Sequence, residues 1–347
     1  MAEPTYTIHD SPEVVERIET DLATIVDRVR EADPHLRSLI LTGGFARGEG
    51  TVVDGAPQND YDLVGIRGLG SPQRPYEDVR RELEDEIGLH IDLARVPSWR
   101  LRWVPASIFW YETRHRGRCL WGEDLLGRIP IEDREDLAPS EGLRLLVNRA
   151  AGLLLVTRAN DDHAHRIQAA KGLLAALDAH LFALGAFPPS QTERWDRFRS
   201  LRADDAVPAV LDRHTDWLRW ALGFKVDPEG VDARDGLEAW RAAARAILDA
   251  VPVSLDHAGY DSLEDYETSD GLIDHLHFFR HAGAIPQAPR LMRHPTGRVR
   301  TATLRLLEAS QDGLVRHEDA RECLGSIAEV DGQPLKLLDD LRDATLQ

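Results

Sequence analysis

A chain of 347 residues with 42% hydrophobic and 29% charged residues has the composition of a globular protein and is long enough for two domains. Its 60 acidic residues outnumber 42 basic ones, and a net charge of -18 disfavours broad phosphate-backbone binding, so long nucleic acid is not the expected partner. No apolar run approaches the ~18 residues that span a bilayer, the polar, acidic N-terminus is unlike a signal peptide, and Cys119 and Cys323 lie too far apart for a disulfide framework or a zinc finger, so a cytoplasmic protein with no membrane partner is expected.

Ser11-Pro12 opens a helix, with a capping side chain followed by proline at the first helical position. Val15, Ile18, Leu22, Ile25, Val26 and Val29 recur at helical spacing to about Ala32, and Asp33-Pro34 ends the run. Leu39 to Leu41 is a short buried strand, followed directly by a turn at Gly43-Gly44. Residues 51–59, with Asp54-Gly55 and Pro57, form a loop or hairpin, and Tyr61 to Ile66 is the second strand. A Gly/Pro-rich break from Gly68 to Pro75 leads into a helix over Tyr76 to Ile87, and alternation from Leu89 to Val96 gives a third strand. Helix, strand, glycine turn, strand, helix, strand is an α/β unit of about 100 residues.

From about Glu141 the pattern becomes almost continuous helix. Leu143 to Val156 and Arg166 to Leu184 come first, the latter closed by Gly185 and Pro188-Pro189; further helices are predicted at 191–201, 207–223, 234–250, 270–282, 299–309 and 334–344. The expected class is α+β, with an N-terminal α/β domain carrying a small mixed sheet over 1–130 and an all-α helical bundle over 131–347.

The chemistry concentrates in the first domain. Side chains at i and i+2 leave a strand on the same face, so Asp60 and Asp62 converge while Tyr61, Leu63 and Val64 pack. Two such carboxylates suit magnesium, a hard ion held by one or two carboxylates plus substrate phosphates. The glycine turn is not a Walker loop, because no Gly-Lys-Ser/Thr follows, and its spacing does not match a dinucleotide fingerprint.

Gly43-Gly44, Arg47-Gly48-Glu49, Asn59-Asp60-Tyr61-Asp62-Leu63 and the later Asp92 together resemble the nucleotidyltransferase superfamily, which includes DNA polymerase β, aminoglycoside nucleotidyltransferases and the minimal nucleotidyltransferases of toxin-antitoxin pairs. The resemblance covers residues 36–97. It implies that Asp60 and Asp62 bind two magnesium ions, or manganese in their place, that bridge a nucleoside triphosphate, with Asp92 completing the second metal site. A hydroxyl then attacks the α-phosphorus in line and pyrophosphate leaves, with Asp92 or an acid of the helical domain accepting the proton. Gly43 and Gly44 bring backbone amides to the phosphates, and Arg47 either contacts the same phosphates or forms a salt bridge within the turn. Many members carry serine at the second turn position; Gly44 leaves that contact to the amides or to Arg47. Glu49 and Asn59 read as structural, fixing the loop and the start of the Asp strand.

Three features lie outside this motif. The basic residues include just three lysines, Lys171, Lys225 and Lys336. Related enzymes place a helical-domain lysine on the triphosphate, which makes Lys171 a nucleotide-binding candidate, the alternative being a snorkelling helix residue. Asp274, His277 and His281 share a helical face with spacing suited to zinc, or to a structural or substrate-lining role. The aromatic stretch from Trp99 to Trp121, including Trp103, Phe109, Trp110 and Tyr111, packs the domains together or lends a ring for base stacking. The expected function is transfer of a nucleoside monophosphate, AMP from ATP, to a hydroxyl of a small molecule; a cationic aminoglycoside would suit the acidic surface. Transfer onto a protein or an RNA end in a toxin-antitoxin or immunity system is a second reading, and an inactive nucleotide-sensing module a third.

Overall fold

The computed structural model describes residues 5–8, 11–70, 72–157, 161–269 and 295–310, together with 319 and 323. The fold is mixed α+β, with a small mixed sheet and many helices. The chain divides into two compact units: the first runs to Ala138 and takes in Pro188–Asp196 and Gly223–Val231, and the second holds the remainder. Those two later segments were assigned to the helical half on sequence; in the structure they join the first unit.

In the first unit, helix α1 (Pro12–Ala32) starts as expected, the Ser11 hydroxyl accepting the Val14 N–H at 3.3 Å. Strand β1 (Leu36–Leu41) is longer than the apolar run Leu39 to Leu41. A short helix α2 (Gly43–Arg47) follows at the glycine turn, and the loop beyond it forms a minimal hairpin of β2 (Val52–Val53) and β3 (Ala56–Pro57). Then come β4 (Tyr61–Arg67), α3 (Tyr76–Ile87), β5 (Ile91–Pro97), a 3-10 turn over Ser98–Trp103, α4 (Ile108–Arg116) and β6 (Arg118–Gly122). The sheet order is β5-β4-β1-β6, with β4 and β5 parallel and the other neighbours antiparallel. Strand β6 was not anticipated. It is an edge strand, paired on one side and only half-buried, so neither alternation nor an apolar run is required of it.

Strand alternation decides which face carries what. Leu39, Leu41, Tyr61, Leu63 and Ile91 lie in one core with Ile18, Leu22 and Ile25 of α1 and Val79 and Leu83 of α3. Their neighbours Ile40, Asp62, Val64 and Asp92 therefore point to the opposite face.

The second unit is helical: α5 (Glu141–Val156), α6 (Asp162–Ala183), most of α7 (Gln191–Ala203), α8 (Ala209–Asp212), the first turns of α9 (Thr215–Val226), α10 (Gly236–Ala258), α11 (Leu263–Glu267) and α12 (Pro295–Ala309). Its centre is α5, α6 and α10, closed by Gly172 of α6 against Ala243 and Ile247 and by a 2.7 Å hydrogen bond from Trp240 Nε1 to the Leu153 carbonyl. The single helix predicted over 207–223 is two, separated where the Thr215 hydroxyl bonds the Asp212 carbonyl at 2.6 Å. Helix α10 continues eight residues past the predicted end, through Pro252, which removes one backbone hydrogen bond without stopping it. The predicted helices at 270–282 and 334–344, and with them Asp274, His277 and His281, lie outside the described residues. Among the described residues no helix is long and apolar enough to cross a membrane.

At the far end of β4, the buried Asp33 carboxylate accepts from Arg67 Nε at 2.7 Å, Arg67 Nη2 at 3.1 Å and the Tyr76 hydroxyl at 3.0 Å. Burial pushes the Asp33 carboxyl up, but these donors outweigh it and hold it below the ordinary carboxylate range. A depressed folded value stabilises the fold above the unfolded pKa of about 4, and that contribution is lost as pH falls through the folded value. Asp33→Ala should therefore lower the unfolding free energy at neutral pH by roughly 3–5 kcal/mol, because Arg67 is left buried and unpaired. In urea titrations the variant should also lose less stability than the wild type between neutral and acid pH.

Candidate active site

The site is built where β1 ends and β4 begins. Thr42 follows the last residue of β1, and its N–H and hydroxyl both bond the Asp62 carbonyl, at 2.8 and 3.2 Å. The backbone then turns at Gly43 with φ of 66°, in the left-handed region that favours glycine. A Cβ at Gly43 would lie 2.6 Å from the Asp62 Cγ and would overlap its carboxylate oxygen. The Asp62 carboxylate thus sits directly on the glycine turn. At Gly44 a Cβ would meet Asn59 Nδ2 at 2.7 Å, while Asn59 Oδ1 accepts the Thr51 N–H. Asn59 is therefore structural, as read from sequence, and both glycines are needed, Gly43 because Asp62 of β4 lies against it and Gly44 because Asn59 does.

Asp62 pairs with Asp92 in register across the parallel β4-β5 ladder, so the two carboxylates leave neighbouring strands on one face. Asp60 precedes β4 by one residue and is exposed, so the strand period does not by itself aim it alongside Asp62. Among the described residues no three His, Cys, Asp or Glu side chains are gathered as a metal-holding group. The donors that are present suit magnesium by kind, since they are carboxylate oxygens, and that ion takes much of its coordination from substrate phosphates and water.

Behind the strand, the Tyr61 hydroxyl donates to Asp21 Oδ2 at 2.9 Å, and Arg17 Nε donates to both Asp21 oxygens at 2.9 Å. Arg17 also bonds the Ile87 carbonyl at 2.8 Å. Tyr61 is thereby fixed on the core face between the two aspartates of the motif.

Beside the glycine turn lies a buried ionic network. Arg47, the last residue of α2, donates from Nε to Glu49 at 2.9 Å and from Nη1 to Glu112 of α4 at 2.7 Å. Glu49 is 1% exposed, and its other oxygen accepts the Thr192 N–H at 2.7 Å and the Thr192 hydroxyl at 3.0 Å. The other oxygen of Glu112 pairs with Arg194, which also donates to the Pro188 carbonyl at 2.9 Å. Desolvation opposes ionisation of Glu112, yet Arg47, then Arg194, hold its carboxyl below the usual range, and Lys225 adds to them. Glu49 is likewise depressed against its burial, here by Lys225 first and Arg47 second. Burial works against the charge on Arg47, but Glu112, Glu49 and, more weakly, Asp62 raise its pKa, so it stays cationic.

Of the two roles open to Arg47 on sequence, the salt bridge is formed, and within the turn its partner is Glu49. Its Nη2 makes no hydrogen bond among the described residues. Lys171 is an exposed residue of α6 in the second unit. Glu112, Thr192, Arg194 and Lys225 were not anticipated. Lys225 carried the same signal that drew attention to Lys171, since both are rare lysines in an arginine-rich chain. In the aromatic stretch Trp110 and Tyr111 are buried, whereas Trp99 and Trp103 are exposed.

No protein-family model matches the chain, and no curated protein is significantly similar to it.

Glu112→Ala should cost about 3 kcal/mol or more of unfolding free energy, because Arg47 and Arg194 lose a shared buried counter-charge. Exchange of exposed Glu132, whose partner is Arg114, should cost under about 1 kcal/mol. Parallel urea titrations of the two variants check the contrast.

Proposed function

We propose that this chain is a magnesium-dependent nucleotidyltransferase that moves a nucleoside monophosphate, AMP from ATP, to a hydroxyl of a small molecule and releases pyrophosphate. The observation that carries the reading is the Asp62 carboxylate seated on the Gly43 turn and in register with Asp92. Carboxylates placed beside unbonded helix-start amides form a site with two signs of charge, one for cations and one for phosphate oxygens.

Asp62 and Asp92, with Asp60 at the mouth of the strand, would hold magnesium; when bound, the ion supplies charge neutralisation on the triphosphate. The amides of Gly43 and Gly44 would bond phosphate oxygens, and Arg47 would offer them its Nη2 from a guanidinium held by Glu49 and Glu112. Asp92 is exposed and on the same face as Asp62, which suits it to accept the proton of the attacking hydroxyl. Tyr61, tied to Asp21, keeps the strand from shifting as charge develops. An inactive nucleotide-sensing module would have no use for Asp92, which makes no structural bond that would otherwise account for a carboxylate there.

Incubation with each labelled triphosphate, magnesium and a metabolite extract should yield a labelled product and pyrophosphate. Asp62→Asn should reduce turnover by at least a hundredfold, about 2.7 kcal/mol of barrier, with an unchanged melting temperature. Absence of metal-dependent pyrophosphate release with every triphosphate would sink the reading. Gly43→Ala separates the geometry from the charge: it keeps every carboxylate but displaces Asp62, and should lose turnover comparably.

A further inference from the structure

Arginine in the first unit is almost everywhere matched to an acceptor. Arg17, Arg28, Arg37, Arg67, Arg80 and Arg116 each pair with a carboxylate, and Arg118 donates to the Ala46 carbonyl at 2.9 Å. Arg100 and Arg102 are different. Both are exposed, and neither has a carboxylate, carbonyl or ring partner among the described residues. They stand on the 3-10 turn Ser98–Trp103, between Trp99, 62% exposed, and Trp103, 77% exposed. Leu101 in the middle is fully buried, and Arg37 Nη1 donates to Ser98 Oγ at 3.2 Å, so the turn is anchored while its two indoles and two guanidiniums face water.

Of the six arginines between Leu93 and Gly122, Arg114 and Arg116 pair with Glu132 and Glu193, Arg118 donates to the Ala46 carbonyl and Arg95 lies over the Tyr76 ring, which leaves Arg100 and Arg102 as the two without such a partner among the described residues. Exposed rings alternating with unneutralised guanidiniums present stacking faces and phosphate donors at adjacent positions, the two things a single-stranded nucleic acid needs. Two indoles separated by charges make no continuous apolar face for a bilayer.

We propose that the Trp99–Trp103 turn is a binding surface for single-stranded RNA, with bases stacking on Trp99 and Trp103 and phosphates held by Arg100 and Arg102. RNA is favoured over DNA because it offers unpaired, unstacked bases, whereas DNA is ordinarily duplex. The surface lies at the opposite end of β5 from Asp92, about 20 Å along the strand. Binding there is independent of the nucleotidyl-transfer reading; where both hold, an RNA replaces the small molecule as the acceptor class.

The test uses the full chain and a fluorescein-labelled single-stranded RNA of about 12 nucleotides, followed by anisotropy over a range of potassium chloride without triphosphate. The wild type should bind, with affinity falling as salt rises. Trp99→Ala with Trp103→Ala should weaken binding about tenfold or more. Arg100→Ala with Arg102→Ala should flatten the slope of log K against log salt by about 1.4. All four positions are exposed, so melting temperatures should not change. Asp62→Asn should bind RNA like the wild type, which separates failure of this surface from failure of the catalytic reading. No RNA binding, equal binding by all variants, tighter binding to DNA of the same sequence, or loss in the tryptophan variant only of binding to phosphatidylserine vesicles would each overturn the proposal.

Discussion

The organisation of the first unit depends on one cation, Arg47, held between two carboxylates out of water. A guanidinium removed from solvent must be matched, and Glu49 and Glu112 do so from different parts of the chain. Those acids need further donors in turn, supplied by Thr192 and Arg194 of one later segment and, through its charge, by Lys225 of another. This chain of obligations explains why Pro188–Asp196 and Gly223–Val231 belong with the first unit although they follow helical sequence. It also fixes the end of α2, a helix of five residues too short to hold itself, and so fixes the glycine turn at its start.

A second constraint acts from behind the sheet. Because successive strand residues face opposite ways, locking Tyr61 on the core side determines where Asp62 points on the other. Asp21 and Arg17 provide that lock, and α1 is therefore more than packing: it carries the acid that orients the strand. Asp62 is then confined three ways, by the hydrogen bonds of Thr42 to its carbonyl, by the Gly43 backbone beneath its carboxylate, and by the ladder to Asp92. Such confinement is what the proposed nucleotidyl-transfer centre would require.

What was legible in the sequence was local. The cap at Ser11, the stripe of α1, the helix Tyr76–Ile87 and the Gly-Gly and Asp-x-Asp segments all announce themselves within a few residues, and the structure places each within a residue or two. Glu112 and Arg194 were silent because their partners lie 65 and 82 residues away, and an isolated Glu on an aromatic helix or an Arg in a polar one carries no local mark. Strand β6 was hidden among arginines and aromatics, since an edge strand has no need of an apolar outer side. The register of Asp62 with Asp92 was foreseeable only as two acids on two strands; that they are neighbours depends on parallel pairing, which the intervening helix α3 makes possible.

Net charge was the least informative number for partners. A total of -18 describes the sum over the chain, while a ligand at the surface feels charges within about a Debye length, some 8 Å at physiological salt. In a chain this rich in both arginine and acid, most guanidiniums are neutralised by a neighbour, so neither their number nor the excess of acids says where an anion would bind. The discriminating quantity is which cations are left without a carboxylate. In the first unit Arg95 has only the Tyr76 ring and Arg118 has backbone carbonyls, whereas Arg100 and Arg102, flanked by exposed rings, have no partner among the described residues, which distinguishes them from Arg47, whose charge is spent on holding the fold. Composition gave each of these arginines the same weight; burial and partnership separate them into buried scaffold and open surface.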